Sequence, residues 1–336
     1  MLWSVNAAGG YLYSDNLSAY LRIQNLPLVK FRQLADVTDT DANGTPLVGK
    51  NNGDFWHWNI LSKLKKKGGP IGETEKMPAT SSTITQNMGK IIEYGNSVNY
   101  TRLLDDLSEQ PIKTIIDKQL KIDVAETFDV AVWQEFDKTP LRIAPTSGTS
   151  TTAITAYESK ADFITGAITN NVALGAGHIE PIATYMKERN IPAFENGDYL
   201  AIARPSTFLT LKADLEAKHL YTETGLGRLI NGEMGRYRGV RFIEQTHIVK
   251  GGACDSTTYD PQNEVADAWN NGKSDWAYFM GADTVTEGVA VLEELRGKIP
   301  GEYGRDRGLA WMALIGYSLT HTAAFDARIV KWDSAA

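Results

Sequence analysis

The longest periodic segment of the sequence most limits what the chain can fold into. From Glu109 to about Phe136, apolar residues recur at steps of three, four and one, which keeps them on one face of an α-helix. These residues are Ile112, Ile115, Ile116, Leu120, Val124, Phe128, Ala131 and Val132. We predict a helix of roughly 40 Å, with Ser108 as its N-cap and Pro111 in its first turn. Such a helix is long for a globular domain.

The segment before this helix predicts two arms. Residues 1 to about 53 show little helical or strand periodicity, and Asp39–Asp54 is dense in Gly, Asn and Asp, which indicates an N-terminal arm lying on another part of the protein. The strand-like segments "FWHWNILSKL" and "KIIEYGNSVNYT" then flank a polar stretch rich in Lys and Glu. We predict a projecting hairpin, because these charges need solvent or a partner; an ordinary disordered surface loop is the alternative.

The segment after the helix alternates between strands and helices. "APTSGTSTTAITA" is typical of a linker, and "HIEPIATYMKERNIP" predicts a short helix that Pro192 ends. A strand at Tyr199–Ala203 and a helix opening at Pro205 follow, so this part is predicted to be an α/β unit. Further strand patterns are "VRFIEQTHIV", "DWAYFMGADTVTEG" and the two apolar stretches of "GLAWMALIGYSLTHTAAFDARIVKWDS".

A glycine-rich stretch, "NGEMGRYRGVRFIEQTHI", contains three arginines and could be a phosphate-binding loop. Such a loop needs GxGxxG or GxxxxGK[ST] spacing and a helix after it. Here Gly232, Gly235 and Gly239 are spaced GxxGxxxG, and a strand-like segment follows. We therefore interpret these glycines as structural turns between strands.

Composition and motif spacing identify no catalytic, metal or cofactor site. A net charge of −7 argues against a protein whose main surface neutralises nucleic-acid phosphates. The five histidines lack metal-ligand spacing, and His247 in a strand pattern and His321 near the end are interpreted as structural. Cys254 is the only cysteine, which excludes an intrachain disulfide. The sequence shows neither a signal peptide nor a run of eighteen apolar residues, so we expect a soluble, unsecreted protein.

The order of these segments resembles that of tailed-phage major capsid proteins of the Hong Kong 97 type. The most specific part runs from "IPAFENGDYLAIARPSTFLTLKADLEA" through "YTETGLGRLINGEMGRYRGVRFIEQTHI". There, a strand ending in Pro precedes a short helix, and a Leu/Ile-Asn-Gly-x-x-Gly-x-x-x-Gly turn enters a strand. "WAYFMGADTV" and "ARIVKW" resemble the strands that close such coats. The likeness covers nearly the whole chain.

The resemblance implies an α+β fold with an N-terminal arm, an extended β-hairpin loop, a peripheral domain with a long spine helix, and an axial α/β domain. The expected divisions are 1–54 for the arm, 55–100 for the extended loop, 101–150 for the peripheral domain, 151–275 for the axial domain with part of the return, and 276–336 for the return strands. Inter-subunit contacts are expected at the charged loop residues Lys65, Lys66, Lys67, Glu73 and Glu75.

The implied function is structural rather than enzymatic, without a cofactor. Pentamers and hexamers of the chain would form an icosahedral virion capsid around non-specifically held double-stranded DNA, assembled in the host bacterial cytoplasm without a membrane. A separate scaffolding protein, a portal and decoration proteins are possible partners.

Two alternatives remain open from the sequence. An encapsulin-type nanocompartment shell shares the fold but holds cargo enzymes. An α/β enzyme would instead use Arg236, Arg238 and Arg241 to bind an anionic ligand, although no base or nucleophile is evident nearby.

Overall fold

The computed structural model describes residues 28–334 apart from 41–43, 45, 48–52, 63, 65–67, 78, 109–110, 167–171, 195–196, 220–234 and 249–274. Within these residues the chain forms three β-sheets and five α-helices, which confirms the predicted α+β class. The helices are α1 (Arg102–Leu107), α2 (Ile112–Asp137), α3 (Lys160–Gly166), α4 (Ala176–Glu188) and α5 (Leu209–His219).

The strands are β1 (Asp36–Thr38), β2 (Phe55–Leu61), β3 (Ile84–Lys90), β4 (Ile92–Thr101), β5 (Leu141–Pro145), β6 (Ile154–Tyr157), β7 (Tyr199–Ala203), β8 (Arg236–Tyr237), β9 (Val240–Glu244), β10 (Asp275–Met280), β11 (Val285–Gly297), β12 (Asp306–Leu319) and β13 (Ile329–Ser334). Strand β7 coincides with the predicted strand. The predicted helix at Pro205 begins later, at Leu209, after a turn.

The predicted long helix is α2, which spans 26 residues, or about 39 Å. Its buried residues include all of the predicted apolar face except Val124, which is partly buried. Glu109, the predicted start, lies outside the described residues. The prediction that Ser108 caps α2 is wrong, because its backbone N–H bonds to the carbonyl of Leu104 and ends α1. The residue at the N-cap position of α2 is Pro111.

A four-stranded sheet in the order β1-β11-β12-β4 packs against α2. Aromatic rings form much of the contact: Phe128 of α2 lies 5.5 Å from both Tyr94 of β4 and Trp311 of β12, centroid to centroid, in edge-to-face geometry. Such pairs add to the stabilisation from burial alone. The long helix therefore rests on the neighbouring strands β4 and β12.

A second, seven-stranded mixed sheet has the order β6-β5-β13-β10-β7-β9-β8. Every residue of β10 is buried, as expected for a strand covered on both faces. Helices α4 and α5 contribute apolar residues to the same core. The predicted linker "APTSGTSTTAITA" is wrong, since it contains the end of β5 and most of β6, which pair antiparallel.

Two buried polar contacts connect these layers. The carboxylate of Asp129 on α2 accepts hydrogen bonds from the backbone N–H groups of Phe31 (2.6 Å) and Arg32 (3.2 Å). Burial raises the pKa of Asp129 to about 6. Separately, Lys331 on β13 lies 2.6 Å from Asp137 at the end of α2. Residues 28–35 are thus held on the helix, as expected for part of an arm.

Candidate assembly surface

Strands β2 and β3 form a hairpin, but the predicted second strand is wrong: "KIIEYGNSVNYT" forms β4, and the partner of β2 is β3, which begins inside the predicted polar stretch. They pair antiparallel from Phe55↔Lys90 to Leu61↔Ile84, and residues 62–83 connect them. The ladder does not extend into the polar stretch, for which an ordinary surface loop stays an alternative. Strand β4, which follows directly, belongs instead to the four-stranded sheet. The hairpin itself therefore ends at Lys90.

The two faces of the hairpin differ in polarity and burial. Strand alternation places Trp56 and Trp58 towards the body of the protein, where Trp56 is 1% exposed. The opposite face carries four exposed apolar side chains, which are Phe55, Leu61, Ile84 and Met88. They alternate on this face with polar side chains such as His57 and Gln86, and exposed apolar groups of this kind are typical of a surface that contacts another molecule.

Two side chains hold the root of the hairpin through one backbone carbonyl. The indole Nε1–H of Trp58 and the amide Nδ2–H of Asn87 each donate a hydrogen bond of 3.0 Å to the carbonyl of Thr320, just after β12. Because the two donors come from opposite strands, the contact fixes both strands of the hairpin against the body.

The loop residues predicted to contact other subunits are only partly described. Lys65, Lys66 and Lys67 lie outside the described residues. Glu73 and Glu75 are exposed, and the Glu75 carboxylate accepts a hydrogen bond of 3.3 Å from the backbone N–H of Gly72. The inter-subunit role of all five stays a prediction.

Two of the three glycines interpreted as structural turns lie within the described residues. Gly239 and its neighbour Arg238 form the two-residue turn between β8 and β9, with φ of +78° and +51°. Hairpin turns of this kind need positive φ at both positions, which glycine adopts without steric cost. Gly235 also has positive φ, +57°, just before β8, whereas Gly232 lies outside the described residues.

The nearby arginines are already paired. Asp198, which is buried, lies 2.6 Å from Arg236 and 2.8 Å from Arg241, measured between charged atoms. Arg238 lies 3.6 Å from Glu180. These two carboxylates pair with all three arginines and offset most of the positive charge that the enzyme alternative requires for an anionic ligand.

A groove of about 510 Å³ separates the hairpin from the four-stranded sheet. Sequence reasoning did not identify this groove, whose lining includes Asp283, His321 and Arg328. His321 lies 3.3 Å from Asp283 and 3.4 Å from Asp326. Its hydrogen bond to Asp283, with the charge of Arg328, holds the pKa of that carboxyl below its usual range. The prediction that His321 is structural is confirmed.

His247 is also structural, although it follows β9 instead of lying in a strand. Its Nε2 lies 3.2 Å from the carbonyl oxygen of Glu126. Among the described residues, no three His, Cys, Asp or Glu side chains are grouped as a metal site requires. No helix in the described part of the chain is both long and apolar enough to cross a membrane.

Comparison with known proteins defines the fold class. No protein-family profile matches the sequence, and no curated protein matches it either. Solved structures do match, over nearly the entire chain, and they come from tailed-phage capsids. The chain therefore has the fold of the tailed-phage capsid proteins.

Three structures illustrate the likeness. The capsid of the cyanophage P-SCSP1u matches with a TM-score of 0.67 and 12% identity, over 99% of this chain and 97% of that chain. The capsid of Ralstonia phage GP4 gives 0.64 and 14%, over 100% and 98%. The mature capsid of bacteriophage PhiM1 gives 0.63 and 13%, over 98% and 94%. At these identities the likeness concerns the fold.

Proposed function

We propose that this chain is a phage major capsid protein that self-assembles into pentamers and hexamers and forms the icosahedral head around double-stranded DNA. One observation carries the proposal: the match to phage capsid structures extends over almost the full length of both chains. A shared core with different additions would support only a common ancestor. Here the match covers 99% of this chain and 97% of the cyanophage capsid chain.

The hairpin gives the proposal a physical mechanism. Its apolar outer face, formed by Phe55, Leu61, Ile84 and Met88, has no cover from the described residues of its own chain. A neighbouring copy would cover it, and the removal of apolar surface from water contributes about 25 cal/mol per Å² buried. Repeated around a closed ring, many such contacts give a stable shell although each one is weak.

The charge of the chain is compatible with a wall around packaged DNA. A net charge of −7 disfavours tight, sequence-independent binding to phosphates. A genome that must leave the head is served by a wall that repels it weakly. Assembly in the host bacterial cytoplasm, with a scaffolding protein, a portal and decoration proteins as possible partners, belongs to the same proposal.

The test is deletion of Lys65–Glu75 at the end of the hairpin. The loop residues described there are exposed, so the deletion should leave the folded core intact. We expect a monomer with wild-type circular dichroism and thermal stability that forms no closed shells in electron micrographs. Normal shells from the deletion variant would refute the role of the loop.

A matched variant separates the reach of the loop from its chemistry. It replaces the same residues with Gly and Ser in equal number, which keeps the length and removes the charges. If Lys65, Lys66, Lys67, Glu73 and Glu75 contact neighbouring subunits, this variant should also fail to form shells. Shells from it, together with none from the deletion, would show that length alone matters.

A further inference from the structure

We propose that Trp56, held in a slot lined by three glycines, sets the direction in which the hairpin leaves the body and thereby determines whether subunits close into a shell. The slot consists of Gly89, Gly288 and Gly316. The effect on shells rests on the proposed function, whereas the effect on hairpin direction does not.

Trp56 is buried although it lies on the hairpin. It belongs to β2, in a hairpin whose side chains are mostly exposed, yet it is itself 1% exposed. It reaches across to the four-stranded sheet and contacts both β11 and β12. One of the two tryptophan side chains of the hairpin is therefore inserted into the body.

The three glycines leave space for the indole ring. A Cβ on Gly89, which is paired with Trp56 across the hairpin, would lie 2.2 Å from an indole carbon. The corresponding distances to the indole ring are 2.9 Å for Gly288 on β11 and 2.5 Å for Gly316 on β12, where the carbonyl oxygen of Lys90 lies closer still, at 2.2 Å. Distances below 3.0 Å are not compatible with van der Waals radii, so any side chain at these positions would displace the ring.

The backbone conformation at these three positions does not require glycine. None of the three has a positive φ, unlike Gly239 in its turn. Glycine within a strand weakens it and marks a place of close approach. Here three separate strands provide a glycine at the same point, and the indole ring of Trp56 is the shared neighbour.

The direction of the hairpin relative to the body depends on the contact between Trp56 and the three glycines. Strands β2 and β3 form a sheet of their own in the described structure, without a ladder to β12. Side-chain contacts hold the hairpin on the body at the slot, at the carbonyl of Thr320, and at the carbonyl of Met88, which accepts a hydrogen bond of 3.4 Å from the Ser318 hydroxyl. Seven residues of strand span about 20 Å, so a rotation of about 10° at the root moves the far end by about 3.5 Å. Closed assemblies do not tolerate such a change at every copy.

The variants distinguish a steric clash in the slot from the general effect of replacing a glycine in a strand. Gly89→Ala and Gly288→Ala add a methyl group against the indole ring. Gly297→Ala is the matched control, because it also lies in β11, has no positive φ, and has no atom within 4 Å of the added Cβ. The double variant Gly89→Ala with Trp56→Phe removes the outer ring of the indole where the methyl group is added and should restore the fit.

The direction of the hairpin is measured on the unassembled chain by double electron–electron resonance, which gives the distribution of distances between two spin labels. The labels are attached at Thr85→Cys on β3 and Lys118→Cys on α2, both exposed, in a Cys254→Ser background. We expect Gly288→Ala and Gly89→Ala to shift or broaden the distance distribution. Gly297→Ala and the double variant should retain the wild-type distribution. Wild-type distances for both slot variants would overturn the proposal.

Shell formation is measured on the same variants without labels. We expect the yield of closed shells to fall about tenfold or more for the slot variants, since each altered contact is repeated in every subunit. The control and the double variant should assemble normally. Normal shells despite a changed direction would overturn the link to closure. Absence of shells from the wild type, with the expected distances, would count against the proposed function and leave the slot supported.

If Gly288→Ala or Gly89→Ala does not fold, the single variant Trp56→Phe tests whether Trp56 sets the direction of the hairpin. This variant leaves the slot partly empty without a steric clash. We expect it to broaden the label distances while circular dichroism stays unchanged. An unchanged, narrow distribution would overturn the role of Trp56.

Discussion

Replacing Asp129 with asparagine should change how the stability of the unassembled chain depends on pH. Asp129 is fully buried on α2 and accepts hydrogen bonds from the backbone of Phe31 and Arg32. Asparagine has nearly the same shape and keeps one carbonyl oxygen for these two donors. The variant therefore removes the titration of the group and preserves the attachment of residues 28–35.

The magnitude follows from the pKa of the buried carboxyl. Burial raises the pKa of Asp129 from 3.8 to about 6. The folded chain therefore binds the proton more tightly than the unfolded chain, and the contribution to stability is present at low pH and lost as the pH rises from about 4 to 6. One pKa unit corresponds to about 1.4 kcal/mol, so the wild type should lose roughly 2 kcal/mol relative to the variant between pH 4 and pH 7.

The assay is urea unfolding followed by tryptophan fluorescence at pH 4, 5, 6 and 7 and constant ionic strength. The quantity of interest is the free energy of unfolding of Asp129→Asn minus that of the wild type, which cancels most other titrating groups. This difference in the free energy of unfolding should increase by roughly 2 kcal/mol from pH 4 to pH 7. Asp106→Asn controls for the loss of one negative charge, since that side chain is 56% exposed. A difference that stays constant within about 0.5 kcal/mol from pH 4 to pH 7 would refute the reasoning.

Two further predictions concern stability. Lys331→Met leaves the buried carboxylate of Asp137 without its lysine partner and should lower the free energy of unfolding by about 3–5 kcal/mol in urea titrations; a loss below about 1 kcal/mol would contradict this. Gly239→Ala places a side chain at φ +78° and should cost about 1–2 kcal/mol, whereas Gly297→Ala should cost about 1 kcal/mol less, and equal costs would contradict the turn geometry.

The long helix could be predicted because its signal is local and repeated. The apolar face of α2 recurs over seven turns, and each repeat supports the same assignment. The short strand β7 was also predictable, from a five-residue apolar segment ending at a proline. Both features depend on residues that are neighbours in the sequence.

The ends of elements and the polar hairpin were harder to predict. Ser108 has the chemistry of an N-cap, but the structure uses it to end α1, whose presence no periodicity indicates in six residues. The Thr-rich segment around β6 is typical of a linker by composition. It becomes a strand because pairing with the buried strand β5 satisfies its backbone.

The candidate assembly surface was only partly visible in the sequence. The strand-like content of "FWHWNILSKL" and the polar stretch after it indicated a hairpin, although its second strand was placed too late in the sequence. The glycine slot could not be found in this way, because Gly288 and Gly316 are more than two hundred residues from Trp56 and each appears alone as an isolated strand glycine. Only the sheet topology brings them to the same ring.

The most direct test of the central claim is electron microscopy of the recombinant wild-type chain, expressed alone and together with its neighbouring genes. The account predicts closed particles, or rings of five and six subunits, under at least one of these conditions. Particle diameter and contents would then separate a phage head from a nanocompartment that holds cargo. A compact monomer under every condition, at concentrations well above those of assembly reactions, would contradict the claim that this chain forms a shell.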